Sequence, residues 1–217
     1  MTFHVVTLFP DALTSYLEAS IIGRAIKDKW IKVKFYNPRD FTKNKWHRVD
    51  QRPYGGGPGM VLEAEPFLKA VKKALGRKKG VVYFFDASGK QFTNTDARAL
   101  ARNVGPTRSN IVLICGHYEG IDARVQKILK AKPISIGSYT LTGGELPAMV
   151  VIDAVSRQIP GVLGSFESIE EERVASSEVY TRPEVLKWAG KNHSVPKVLL
   201  SGNHAKIEEW KRGGKEG

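Results

Sequence analysis

Apolar and polar positions alternate in two rhythms along this chain. Residues 2–9, TFHVVTLF, read as a strand. Residues 10–20, PDALTSYLEAS, open with proline at a helix start and continue at helical spacing. IIGRAIKDKW (21–30) reads as a second helix, and IKVKFY (31–36) alternates as a strand does. A long polar, glycine-rich stretch runs from 37 to 60. Beyond it the pattern predicts a helix (65–76), a strand (80–85), a helix (93–103), a strand (110–115), a helix (121–130) and a short strand (132–136). Strands alternating with helices in this way predict an α/β fold with a mainly parallel sheet flanked by helices.

Residues 137–144 form a glycine-rich loop leading into ELPAMVVIDAVSRQI (145–159). That segment is apolar on nearly every face, which predicts a buried helix. The composition then changes. Residues 160–179 carry SFESIEEERVASSEV, acidic and poor in apolar side chains, and read as a linker. TRPEVLKWAG (181–190) is expected to begin a short helix. GNHAKIEEWKRG (202–213) is expected to form another, with Asn203 as its N-cap. The last residues, GGKEG, are expected to fray. Three divisions follow: a main domain over 1–160, a linker over 161–179 and a reduced helical segment over 180–217.

Composition narrows the function. The chain has 217 residues, 41% of them hydrophobic, enough for one substantial core and a small appendage. Lys and Arg number 34 against 22 Asp and Glu, a formal charge of +12. Such a balance suits a polyanionic partner, since Lys and Arg displace counterions condensed on phosphates, and equally suits a soluble basic protein. The single cysteine, Cys115, excludes an internal disulfide and a multi-cysteine metal site. It lies in an apolar run, which favours a buried structural thiol over a nucleophile. The sequence shows neither an apolar run long enough to span a membrane nor a signal-peptide pattern, so a cytoplasmic location is expected.

Four segments carry candidate chemistry. In RPYGGGPGM (52–60) glycine permits close backbone approach and proline limits slack, as in a ligand-wrapping loop or a tight structural turn; it matches neither GxxxxGK[ST] nor GxGxxG. ICGHYEGID (114–122) follows a strand, where α/β proteins bind ligands. There Gly116 can present bare backbone to a ligand, Glu119 is a candidate acid, base or metal ligand, and both Glu119 and Asp122 can cap the next helix. Capping is the favoured role for Asp122. In SIGSYTLTGGELPAM (135–149) a strand runs through three glycines into a helix, freeing backbone groups to read an adenine edge and a ribose between the apolar walls of Tyr139 and Leu141. Arg157 follows Asp153 by four residues on an otherwise apolar helix. They suit a mutual salt bridge, or an arginine facing a base or phosphate.

Taken together, these segments resemble the bacterial tRNA (guanine-N1)-methyltransferases of TrmD type, within the knotted SPOUT methyltransferase superfamily. The matching stretches are LFP (8–10), PRDFT (38–42), VDQRPYGGGPGM (49–60), ICGHYEGIDARV (114–125), SIGSYTLTGGELPAM (135–149), SRQIPGVLG (156–164), YTRPEV (180–185) and VLLSGNHAKIEEW (198–210). They span nearly the whole chain in the family's order. The resemblance implies a trefoil knot threaded by the segments around Gly116 and Gly137, which general topology rules would have argued against. It implies a homodimer whose active sites draw on both subunits. It also implies a tRNA substrate methylated on the guanine 3′ of the anticodon. S-adenosylmethionine is expected in the knot, against Gly116, Ile136, Gly137, Ser138, Tyr139, Thr140, Leu141, Gly143, Gly144 and Pro147. Phe84, Phe85, Asp86 and Ala87 are expected to line it too.

The resemblance also assigns roles. Guanine N1 carries a proton at neutral pH, so the reaction calls for a base and for groups that stabilise charge at O6. Arg157 matches the arginine that steadies the guanine, and Glu119 a glutamate near the donor's methionine end. Magnesium is associated with the family's activity. The family's base is a linker aspartate, and its place here falls on Glu172, with Glu171 beside it. Gln51 stands where the family often has an acid, and Ser138 where it often has aspartate. Family members continue past the match to Trp210 into a helical tRNA-gripping domain, whereas this sequence runs seven residues further. The expectation is therefore a truncated C-terminal extension, with tRNA held by Lys43, Lys45, Arg48 and Arg52 or by Lys211 and Arg212. A non-catalytic RNA- or cofactor-binding relative is the alternative.

Overall fold

The computed structural model describes residues 1–102, 110–163 and 178–213. The chain divides into two compact units, Met1–Gly164 and Ser165–Gly217.

The first unit is built on a five-stranded parallel sheet. Its strands are β1 (Thr2–Val6), β2 (Lys32–Tyr36), β5 (Val81–Gln91), β6 (Asn110–Ile114) and β7 (Lys132–Ser135), ordered β2-β1-β6-β5-β7. Every pairing in it is parallel. Strand β6, NIVLI, is buried at every position, as a central strand covered on both faces must be. Its side chains part by the period of two. Ile111 and Leu113 join one core with Phe3 and Val5, while Val112 and Ile114 join a second with Val6 and Val82.

Helices cover both faces. α1 (Asp11–Leu17), α2 (Ser20–Lys27), α4 (Asn94–Arg102) and α6 (Glu145–Ser156) contribute to the first core through Leu13, Ile22, Ala97 and Ile152. α3 (Ala64–Leu75) and α5 (Ala123–Leu129) cover the other face through Phe67, Val71 and Val125. The predicted α/β layering is therefore present. A short antiparallel pair, β3 (Asp50–Gln51) with β4 (Val61–Leu62), brackets the 52–60 loop.

Three expectations change. Strand β5 runs on to Gln91, past the polar stretch DASG, because the chain shifts register between Phe85 and Lys90 and pairs Lys90 with Ile134 and Gln91 with Ser135. Helix α6 ends at Ser156 and is not buried all round: Leu146 and Val150, one turn apart, are 55% and 45% exposed. In the second unit, the helix expected within 181–190 is replaced by a hairpin of β8 (Val185–Trp188) and β9 (Lys191–Ser194). Ala189 and Gly190, both at positive φ (48° and 75°), make the two-residue turn whose twist matches paired strands. α7 (Lys197–Leu200) follows, then α8 (His204–Lys211), where Asn203 accepts from the Lys206 amide at 3.2 Å as its N-cap.

Candidate functional site

The carboxyl ends of β6 and β7 and the far half of β5 open onto one cleft of about 460 Å³, within the range of small-molecule sites. Its walls come from Phe84 to Ala87, Gly116 to Ile121, Ile134 to Gly137 and Tyr139 to Gly144, with Ala123 and Gln126 on α5 and Pro147 at the start of α6. Ligands in parallel α/β sheets bind at such strand ends, where loops diverge and backbone groups are left unpaired.

The cleft is shaped by stitching between loops distant in sequence. The Gly144 amide donates to the Gly116 carbonyl at 3.0 Å, and His117 and Gly143 form an antiparallel bridge. The approach is so close that a Cβ on Gly144 would lie 2.5 Å from the Cα of Cys115. Below, the Glu119 amide donates to the Met60 carbonyl at 3.1 Å and the Leu62 amide to the Gly120 carbonyl at 2.9 Å. The 52–60 loop is thereby joined to the cleft. Gly59, at φ +85°, is packed so tightly on Glu119 that a Cβ there would lie 2.5 Å from Glu119 Cγ. On the opposite wall, Ser135 Oγ donates to the Gly137 carbonyl at 2.8 Å and accepts from its amide at 3.2 Å. The Tyr139 hydroxyl donates back to the Ile136 carbonyl at 3.2 Å, folding the ring over Gly137.

Charge in the cleft runs against the charge of the chain. Among the described residues its lining holds two carboxylates, Asp86 and Glu119, and no Lys or Arg, although the chain carries +12. Such a lining favours a ligand with a cationic centre. Asp122 is spent elsewhere. It caps α5, accepting from the Arg124 amide at 2.9 Å and pairing with the Arg124 guanidinium at 2.6 Å. Those contacts hold its carboxyl down at about 2. Cys115 is fully buried, and burial together with the Glu145 charge pushes its thiol well above the ordinary value, so it is no nucleophile.

Of the residues expected to hold a cofactor, Ala87, Gly116, Ile136, Gly137, Tyr139, Thr140, Leu141, Gly143, Gly144 and Pro147 line this cleft, as do Phe84, Phe85, Asp86 and Glu119. Ser138 is not among the lining residues. Arg157 lies half-buried at the C-cap of α6, away from the lining. Asp153, its expected partner, accepts a hydrogen bond from the Tyr16 hydroxyl at 2.7 Å. Glu171 and Glu172 lie outside the described residues. Among the described residues no three His, Cys, Asp or Glu side chains converge as a metal site.

Two residues escaped the sequence reading. Glu145 and His117 are 28 positions apart, and the His117 Nε2 meets the buried Glu145 carboxylate at 2.7 Å. Both stand inside the motifs singled out above. Nothing in local spacing pairs them.

The family profile described as tRNA (Guanine-1)-methyltransferase TrmD matches residues 1–216. The chain belongs to this family. It is 47% identical over 218 residues to the tRNA (guanine-N(1)-)-methyltransferase of Thermomicrobium roseum, covering 98% of this chain and 78% of the relative. It is 45% identical over 214 residues to the protein of that name from Buchnera aphidicola, covering 96% and 87%. The Clostridioides difficile protein of the same name is 42% identical over 219 residues, covering 98% and 91%. The family match runs through all the segments that build the cleft. The cleft is thus a feature of a family member and not of an unrelated α/β protein.

Proposed function

We propose that this protein transfers a methyl group from S-adenosylmethionine to N1 of the guanine 3′ of the anticodon in tRNA. The observation that carries the proposal is the cleft: lined among the described residues by carboxylates and by no Lys or Arg, in a strongly basic chain, and placed at the strand ends of a TrmD-family fold. S-adenosylmethionine is a sulfonium cation with an adenine at one end, and the residues present suit it. Gly116, Gly143 and Gly144, with no side chains, let a flat base lie close against the backbone, Phe84, Leu141 and Tyr139 offer apolar walls, and Asp86 and Glu119 offer negative charge. The same two loops, around Gly116 and Gly137, are those the family threads into its trefoil knot.

When bound, the donor supplies an electrophilic methyl on sulfur. The chain's own groups do the rest. A carboxylate takes the proton from guanine N1, whose electron pair then forms the new bond to the methyl as the sulfur–carbon pair returns to sulfur. Glu172 is the proposed base, with Glu171 next to it, replacing an aspartate by a residue one methylene longer. Misplacement of about 1 Å can cost around 100-fold in rate, so the identity of this carboxylate matters. Arg157 is the proposed partner for charge at guanine O6. Glu119 is proposed to face the methionine end of the donor. Magnesium is not assigned to residues: the described ones hold no converging ligand set, and no step is routed through it.

The protein is proposed to act as a homodimer in the cytoplasm. The paired exposure of Leu146 and Val150 on α6 supports a subunit contact, and no helix among the described residues is long and apolar enough to cross a membrane. No observation favours the non-catalytic alternative.

The deciding experiment is methyl transfer from labelled S-adenosylmethionine to unmodified tRNA, with the modified base mapped. Label at N1 of the guanine 3′ of the anticodon is expected. Label elsewhere, or donor binding without transfer, would overturn the proposal. In the same assay Glu172→Gln is expected to lose most transfer while Glu171→Gln keeps it; an unimpaired Glu172→Gln enzyme rules out that base.

A further inference from the structure

Thr7 follows β1, and its hydroxyl is fully buried among polar partners. The oxygen accepts from the Phe9 amide at 2.9 Å, which leaves its one proton for Glu145 Oε1, 2.5 Å away. Glu145 is the first residue of α6, at the helix end that favours negative charge, and is only 8% exposed. Its other oxygen, Oε2, accepts from His117 Nε2 at 2.7 Å. An ionised carboxylate only accepts, so the contact places a proton on Nε2 and fixes which face of the imidazole turns toward Glu145. The ring is clamped a second time by Phe9, edge to face at 4.8 Å between centroids. The backbone leaves no slack. Gly143 bridges to His117, and a Cβ there would collide with both the imidazole and the Glu145 carboxylate.

A fold that needed only a contact here would do as well with two apolar side chains, because burying a carboxylate costs desolvation that the pair must offset. The polar triad instead ends on a side chain that lines the cleft. Glu145 and Thr7 do not line it; His117 does. The triad therefore joins the turn after β1, the loop after β6 and the start of α6 at one cleft-facing imidazole.

We infer that His117 is a positioning residue for the methyl donor, held in place by a buried Thr7–Glu145 relay that fixes the separation of the two loops walling the cleft. The inference rests on the donor site proposed above. It places no proton transfer on His117. Its role is to keep the walls around Gly116 and Gly143 at the spacing the donor requires.

The test compares His117→Phe, His117→Gln and Thr7→Val with the unaltered protein. Donor affinity is measured by calorimetry with S-adenosylmethionine, kinetics with donor and tRNA varied separately, and folding by thermal melting. His117→Phe is expected to raise the donor Kd and donor KM about 10- to 100-fold, the scale expected of misplaced binding groups, with the tRNA KM unchanged. His117→Gln keeps an N–H for Glu145 and is expected to recover most of the lost affinity. Thr7→Val is expected to weaken donor binding less, and non-additively with His117→Phe, as members of one network do. Unchanged donor affinity in His117→Phe overturns the inference. So does equal impairment of the Phe and Gln variants in step with lowered melting temperature, which marks a purely structural contact. Failure of the unaltered protein to bind S-adenosylmethionine overturns instead the donor assignment on which the inference rests.

Discussion

Asp122 and His117 sit five residues apart in one motif and teach opposite lessons. Asp122 is a local device. Its cap on α5 and its pairing with Arg124 involve groups two residues away, and the sequence favours that role from spacing alone. The contacts lower its folded-state value from the ordinary 3.8 to about 2. The hydrogen bond from the Arg124 guanidinium is the largest cause of that shift, followed by the one from the Arg124 amide. A depressed carboxyl stabilises the fold fully above its unfolded value and loses that contribution as pH falls through the folded value. Asp122→Ala is therefore expected to cost about 1 kcal/mol at neutral pH, the usual worth of a cap. The difference from the unaltered protein should narrow as pH drops from about 4 to about 2. Denaturant melts of both proteins across that window check it; a difference that stays constant with pH contradicts the ion-pair account. His117 is the non-local case. Its partner Glu145 reads in the sequence as one more residue opening an apolar helix, and only the fold brings its carboxylate to the imidazole. The Gly59 packing on Glu119 was hidden likewise, since glycine spacing does not reveal what a missing Cβ makes room for.

Among the elements, legibility tracks burial. Strands β1 and β6 and helix α3 pack into cores, so their apolar periodicity is strong and their positions follow from it. Where burial fails, so does the reading. All eight residues of β8 and β9 are exposed, so no inward face alternates with an outward one, and the turn at Ala189–Gly190 defines the hairpin instead. The second half of β5 carries DASGK, polar residues that no periodicity marks as strand, and its pairing with β7 is set by a register shift visible only in three dimensions. Helix α6 errs in the other direction. Uniform apolarity reads as complete burial, yet Leu146 and Val150 face outward from this unit. Such a pair is better explained by a partner surface than by a core. If that surface joins two copies, Leu146→Asp should shift sedimentation velocity from dimer to monomer with the secondary structure retained. A variant that sediments like the unaltered protein removes α6 from the subunit contact.

At the scale of the molecule, charge is divided by function. Among the described residues the cleft is lined by carboxylates and by no Lys or Arg, while cations crowd the loop after the 3₁₀ turn Pro38–Phe41, where Lys43, Lys45 and Arg48 are all exposed, and Arg52 is exposed just past β3. That loop has defined structure. Thr42 Oγ1 donates to the Arg48 carbonyl at 3.1 Å, and His47 Nδ1 lies 3.0 Å from the Arg39 carbonyl. At its tip Trp46 is 69% exposed, with the Lys45 ammonium 4.9 Å from its ring centre. Exposed aromatic surface among cations is how proteins hold unpaired bases and the backbone that carries them, stacking the first and neutralising the second. If tRNA is held here, binding is dominated by release of counterions from phosphates. Neutralising about four phosphates gives a slope near −3 in log affinity against log salt, so affinity should fall about 60-fold between 50 and 200 mM salt. Replacing Lys43, Lys45 and Arg48 by alanine should flatten that slope by roughly 2 to 3 and leave S-adenosylmethionine binding unchanged, because none of the three lines the cleft. Trp46→Ala should weaken tRNA binding at every salt concentration with the slope intact, since stacking releases no ions. A triple variant whose slope matches that of the unaltered protein would move the RNA-binding face to another part of the basic surface.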